Sequence, residues 1–164
     1  MATPRDVIGA WLDAMNRRDA PAVAALYHAD AVVWQLPAGE PLVGRQAQLE
    51  ALVTFFQAFP DDSTHCEELF EAGEWAILEW CSEGTWRGTF AGRAPTGRAY
   101  ALRGCALFHI SDSQITHQRA YWDTASWLEQ LGIPAVGLPW PRPRGRRRRR
   151  GVPRREGSGD AVSR

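Results

Sequence analysis

The residues best suited to proton chemistry fall in one run, His117-Gln118-Arg119-Ala120-Tyr121-Trp122-Asp123. If this is a strand, its side chains alternate between two faces. His117, Arg119, Tyr121 and Asp123 then share one face, and Gln118, Ala120 and Trp122 the other. An imidazole or a carboxylate moves protons when held within hydrogen-bond reach of a ligand. His117 is therefore a general-base candidate, with a surface or interface position as the plainer alternative. Asp123 stands directly before a helical pattern carrying Trp127, Leu128 and Leu131, where a carboxylate caps the first turn. Glu79 alternates with Trp80 and Ser82 in the same way, and pairing with Arg119 or Arg103 would make it a structural ion pair. Gln35, Ser82 and Gln118 can orient a ligand carbonyl but cannot act alone as strong bases. Cys66, Cys81 and Cys105 form no C-x-x-C, which argues against a disulfide framework and a zinc site. Cys105 lies in an apolar strand and reads as a small packing residue. Neither a metal nor a cofactor is expected.

The elements that must position these groups are legible in turn. Thr3 and Pro4 open a helix whose stripe is Val7, Ile8, Trp11, Leu12 and Met15. Asp19 caps a short second helix with Val23, Leu26 and Tyr27 inward. Residues 31–36 read as a strand stopped by Pro37 and Gly39. A third helix is expected from about Gly44 to Ala58, burying Leu49, Leu52, Val53, Phe56 and Phe59. Strands follow at 64–70 and 75–82 across a hairpin, with 85–90 continuing or following the second. A second hairpin joins 99–110 to 114–122 around Ser111-Asp112-Ser113, before the short final helix. Helices followed by consecutive antiparallel strands predict an α+β domain, with the helices on one face of a curved sheet.

The chain has 164 residues, 45% hydrophobic and 23% charged, which suits one folded domain. No apolar run approaches the ~20 residues of a membrane span. Arg5, Asp6 and Asp13 interrupt the N-terminal apolar positions, so no secretory leader is expected and a reducing cytoplasm fits. There is no lysine. Residues 1–135 hold 9 Arg against 17 Asp and Glu, whereas residues 136–164 hold 10 Arg against Glu156 and Asp160. The net charge of zero thus joins an acidic body, 1–135, to a basic tail, 136–164. The tail is rich in Pro and Arg with almost no apolar residues after Trp140, a composition that predicts disorder. Its run Arg146–Arg150 could contact the phosphates of a polyanion.

The order and length of the elements resemble the nuclear transport factor 2 superfamily, and within it the SnoaL-like polyketide cyclases. The residues that carry the resemblance begin with Trp11-Leu12-Asp13-Ala14-Met15-Asn16-Arg17-Arg18-Asp19 and Ala25-Leu26-Tyr27-His28-Ala29-Asp30-Ala31. They continue with Gly44-Arg45, Ala94-Pro95-Thr96-Gly97-Arg98, Gln114-Ile115-Thr116, Arg119-Ala120-Tyr121-Trp122-Asp123 and Glu129-Gln130-Leu131-Gly132. The likeness covers about residues 4–133 and leaves the tail unmatched. It implies a cone: a curved antiparallel sheet packed on three N-terminal helices, with a short C-terminal helix and an apolar pocket inside.

By that resemblance the pocket is lined by Trp80, Ser82, Leu102, Gly104, Ala106, Gln118, Ala120 and Trp122 from the strands. Trp11, Met15, Phe55, Phe56 and Phe59 come from the helices, with Trp34 or Gln35 at the mouth or floor. Such an aromatic cup suits a flat, apolar or polycyclic molecule. The resemblance also marks catalytic positions. A carboxylate of the cyclases and related epoxide hydrolases falls on Ala120, and the Arg-x-Asp pair of the hydrolases falls on Trp80 and Ser82. The ketosteroid isomerase set falls on Trp11, Leu36 and residues near Cys105. A methyl group takes no proton, so the usual site is lost or moved. The expected function is small-molecule binding, with cyclase or isomerase chemistry on polycyclic compounds, or a non-catalytic dimerising scaffold. A homodimer is implied through the outer sheet face, where Arg103, Cys105, Leu107, Arg119 and Tyr121 alternate with the pocket residues.

Truncation after Val136 tests the division of the chain. The melting temperature should stay nearly constant, because no core residue is removed. Any affinity of the full chain for heparin should vanish with the tail, as read by a column run at two salt concentrations.

Overall fold

The computed structural model describes residues 1–36 and 39–134. The basic tail, including Arg146–Arg150, lies outside the described residues. Helix α1 (Pro4–Asn16) starts at Thr3, whose side chain accepts from the Asp6 backbone while the Asp6 carboxylate answers to the Thr3 backbone. Its apolar stripe buries Val7, Ile8, Trp11, Ala14 and Met15. Asp19 caps α2 (Ala20–Ala25) through the Ala22 amide. Helix α3 (Arg45–Ala58) begins after Gly44, whose φ of 93° lies in the left-handed region that glycine adopts without strain.

The sheet has six strands: β1 (Tyr27–Gln35), β2 (Leu42–Val43), β3 (Ser63–Ala72), β4 (Trp75–Thr85), β5 (Ala99–Ser111) and β6 (Gln114–Trp122). Their order is β2-β1-β6-β5-β4-β3, in a curved sheet that does not close. Four pairings are antiparallel. The fifth, β1 on β6, is parallel, because the chain crosses the sheet between them. Helix α4 (Thr124–Gln130) follows β6 and is held to β5 by Gln130, which bonds both the N–H and the C=O of Ala101. The expected α+β architecture is thus present.

Alternation sorts the side chains. Ala76, Leu78, Ala106, Phe108, Gln118 and Ala120 are all at most 3% exposed and face the helices. All but Gln118 join Val7, Ile8, Trp11, Met15, Tyr27 and Phe56 in one core cluster. A second cluster gathers Phe59, Trp86, Tyr100, Trp127, Leu128 and Leu131. On the outer face, register places Phe70, Ile77, Leu107, Arg119 and Trp34 in one row across five strands. Cys105 and Tyr121 form part of the next row.

Several local expectations need correction. Tyr27 begins β1 rather than facing inward from α2, since α2 ends at Ala25. Val53 is 40% exposed, and Gln48 takes the buried place. Apolarity alone misassigned that face of α3. Residues 86–90 form no extended strand; Trp86 instead turns inward and donates to the Gly88 carbonyl. The short strand β2 was not foreseen.

Gly104 fixes the packing of the inner face. A Cβ there would meet Trp80 Cζ2 at 2.3 Å and the Tyr121 carbonyl at 2.7 Å. Only a bare backbone lets the indole lie flat on β5. Gly104→Ala should destabilise the domain by about 1–3 kcal/mol, measured by urea unfolding, as overpacking does elsewhere.

Candidate ligand site

The inner face is closed at its two core clusters and less deeply buried in the aromatic band between them, the aromatic opening of the site. Between the two clusters, Trp80, Leu102, Gly104 and Trp122 are only half-buried although they point toward the helices. Gln35 and Phe55 are half-buried beside them. Phe55 and Trp122 each pack against both clusters. Aromatic edges set this wall: Trp122 meets Trp127 at 5.3 Å between ring centroids, and Phe55 meets Phe59 at 5.1 Å. Gln35 Oε1 accepts from Trp122 Nε1 at 3.3 Å and fixes the indole's direction.

Two buried polar networks border the opening. In the first, Trp11 Nε1 donates to Tyr27 Oη at 2.9 Å, and Tyr27 Oη donates to Gln118 Oε1 at 2.5 Å. Burial holds the Tyr27 phenol well above its ordinary range, so it stays neutral and donates. Gln48, also buried, leaves its Oε1 without a partner among the described residues. In the second network, Asp62 is 1% exposed, and its Oδ1 accepts from Ser82 Oγ at 2.9 Å and from the Tyr100 hydroxyl. Burial pushes the Asp62 carboxyl up, against the lowering effect of those two hydrogen bonds. It also pushes the Tyr100 phenol up, aided by the Asp62 charge. The segment around Asp62 is pinned. Arg18 Nη1 donates to the Asp62 carbonyl at 2.9 Å, and the Asn16 amide bonds both the N–H and the C=O of Thr64.

Trp11, Met15 and Ala120 lie in the first cluster, with Phe55, Trp80 and Trp122 packed against it. Phe59 lies in the second, with Leu102 packed against it. Gln118 is buried, and Ser82 sits next to Trp80 on the same strand face. Trp34 departs from the set. It pairs with Arg119 on the outer face and is 38% exposed, because strand alternation sends Gln35, its neighbour, inward opposite Ala120. Glu79 is exposed, and Arg103 pairs with Glu67 at 2.7 Å instead. His117 is exposed on the outer face, where Thr116 Oγ1 lies 3.2 Å from its Nδ1. Asp123 caps α4 through the Ser126 amide. A groove of about 490 Å³ lies where His65, Cys81, Glu83 and Arg103 meet Asp123 and Ser126; it shares only Ser82 and Leu102 with the aromatic set.

Sequence reasoning missed Asp62 and Tyr100, and read Tyr27 as an inward packing residue without its hydrogen bonds to Trp11 and Gln118. The signal for Asp62 was the pair Asp61-Asp62 after a helix: Asp61 caps the Thr85 amide in the open, which leaves Asp62 facing inward. Tyr100 stands in the inward register of β5, two residues before Leu102.

The helix-lined, unclosed curved sheet is the ketosteroid isomerase-like fold of small α+β domains. A protein of Catenulispora acidiphila with that fold, solved in complex with trimethylamine, is similar over 84% of this chain and 100% of its own, with 21% identity and a TM-score of 0.71. IdmH of Streptomyces antibioticus, a candidate polyketide cyclase, covers 80% of this chain with all of its own, at 24% identity and a TM-score of 0.66. The family model for SnoaL-like polyketide cyclases matches residues 5–131, and the chain belongs to that family.

Asp62 should leave a pH signature in stability. Its folded pKa is raised, so its contribution is full below the unfolded value of about 3.9 and is lost as pH rises through the folded value. The stability of the wild type relative to Asp62→Asn should therefore fall as pH rises from about 4 toward neutrality. Paired urea titrations across that range measure the difference.

Proposed function

We propose that this domain binds a flat, apolar, polycyclic molecule in the aromatic opening and acts on it as a cyclase or isomerase. The observation that carries this reading is the half-buried band Phe55, Trp80, Leu102, Gly104 and Trp122 between two closed clusters. Large aromatic surface left in contact with water inside a fold is costly unless a ligand covers it, at about 25 cal/mol per Å². The aromatic rings stack a planar ligand, and the few polar groups orient it. Gln118 directs its Oε1 to Tyr27, which leaves its Nε2 as a donor for a ligand oxygen. Ala120 cannot take a proton, so turnover depends on a different acid or base from the one usual in the family.

A thermal-shift screen of planar aromatic ketones and phenols tests the reading. A ligand at 100 times its dissociation constant adds about 2.7 kcal/mol of stability and raises the melting temperature by several degrees. Phe55→Ala and Trp122→Ala should abolish the shift. A flat response to every member of the panel would overturn the binding role.

A second reading, homodimerisation through the outer sheet face, rests on one observation. Phe70, Ile77 and Tyr121 are 55%, 36% and 46% exposed there, beside Trp34, Leu107 and Cys105. Aromatic and aliphatic residues mixed with Arg103 and Arg119 suit an interface. Ile77→Asp should shift the mass seen by light scattering at micromolar concentration from dimer to monomer.

A further inference from the structure

Asp62 is the feature that packing does not explain. The Asp62 carboxylate is 1% exposed and meets two neutral hydroxyls, while the guanidinium of Arg18 bonds the Asp62 carbonyl and reaches the carboxylate through its charge alone. Burying a carboxylate without an ion pair is expensive, and an amide or a methyl would fill the same space more cheaply. Strain of this kind collects at sites that handle protons. Its place matters too. Ser82 Oγ, which donates to Asp62 Oδ1, belongs to the inner face of β4 next to Trp80 and opposite Leu102. Ser82 is half-buried, like those neighbours, and also lines the groove of His65, Cys81, Glu83 and Arg103, so it links the hidden carboxylate to the half-buried aromatic band.

We propose that Ser82, backed by Asp62 and Tyr100, is the proton-accepting contact of the aromatic site, and that it selects ligands bearing a phenolic hydroxyl. The inference rests on the aromatic opening being the ligand site. The Ser82 hydroxyl proton is committed to Asp62, so the Oγ lone pairs face a ligand as acceptors only. A phenol at Oγ therefore donates. When it ionises, its O–H bond breaks and its proton passes to Ser82 Oγ. The former Ser82 proton passes to Asp62 Oδ1. The electron pair stays on the ligand oxygen, and the products are a bound phenolate and a neutral Asp62. Burial, which favours neutral Asp62, favours this direction. Tyr100, donating to the same oxygen, opposes it and sets how readily the proton is taken. Ser82 touches the ligand; Asp62 and Tyr100 are positioning residues.

Umbelliferone and its methyl ether test this with the intact chain. Both are flat and apolar, but only umbelliferone can donate, and its absorbance separates phenol from phenolate. Wild type should bind umbelliferone roughly tenfold more tightly than the ether, the upper size of one neutral hydrogen bond. The bound phenol should ionise at lower pH than the free one. Ser82→Ala and Asp62→Asn should each erase both the preference for umbelliferone over the ether and the ionisation shift. Tyr100→Phe should lower the ionisation pH of the bound phenol further, a change that a merely structural hydrogen bond would not produce. Circular dichroism confirms which variants fold; if Asp62→Asn does not, Ser82→Ala and Tyr100→Phe decide the matter. Equal affinity for the two ligands, or an unshifted phenol in wild type, overturns the proposal and leaves the aromatic site standing. Failure of both ligands to bind, together with a flat thermal-shift panel, removes the aromatic site and the proposal with it.

Discussion

The parallel pairing of β1 with β6 holds the two halves of the chain together. Every other pairing joins strands close in sequence, whereas this one places Val33 beside Gln118 and Gln35 beside Ala120. Closing so long a loop has an entropic cost that only a well-formed contact offsets. Tyr27 supplies that contact at the start of β1. Its hydroxyl joins Trp11 on α1 to Gln118 on β6, so helix, first strand and last strand share one buried chain of hydrogen bonds. Without this registration the α1 stripe would have no fixed inner face to cover, and Phe108 would lose the edge contact with Trp11 at 5.5 Å.

Local chemistry made most of the elements legible. Thr3, Asp19 and Asp123 are caps because their short oxygens satisfy the first free amides, and all three do so. Strand alternation placed Gln118 and Ala120 inward and Arg119 and Tyr121 outward, because β6 keeps a period of two from His117 through Trp122, past the irregularity at Thr116. The parallel pairing was illegible, since no local signal records which distant edge a strand will join. Val53 was misplaced because an apolar residue on a helix reads as buried whether or not a partner lies above it. Trp34 was misplaced for a related reason: aromatic character suggested the cup, but its parity is opposite to that of Gln35.

The site was half legible. Trp80 and Gly104 could be paired as inner-face neighbours from alternation, though not the close stacking that the bare Gly104 backbone allows. Asp62 was hidden because an acidic residue after a helix reads as a surface turn. Its burial depends on Tyr100 and Ser82, which lie 38 and 20 positions away in sequence and reach it only after β4 and β5 have paired.

Those same partners explain why a carboxylate can persist there. Ionised Asp62 would be several kcal/mol too costly in a dry core with no donors. Two hydroxyls reduce that cost without cancelling it, as the raised pKa records. A guanidinium on the carboxylate would cancel more of it and would also hold the acid permanently charged. Arg18 is close enough to bond the Asp62 carbonyl, yet the Oδ1 contacts come from neutral groups. The arrangement favours the neutral carboxyl more than an exposed site would. Ala120, in contrast, is enclosed by the first cluster and 3% exposed, with Gln35 opposite it and Gln118 on the same strand face as its polar neighbours and no hydroxyl network like that around Asp62. In this chain the inner face accommodates an ionisable group at the Ser82 end of β4 and excludes one from the middle of β6.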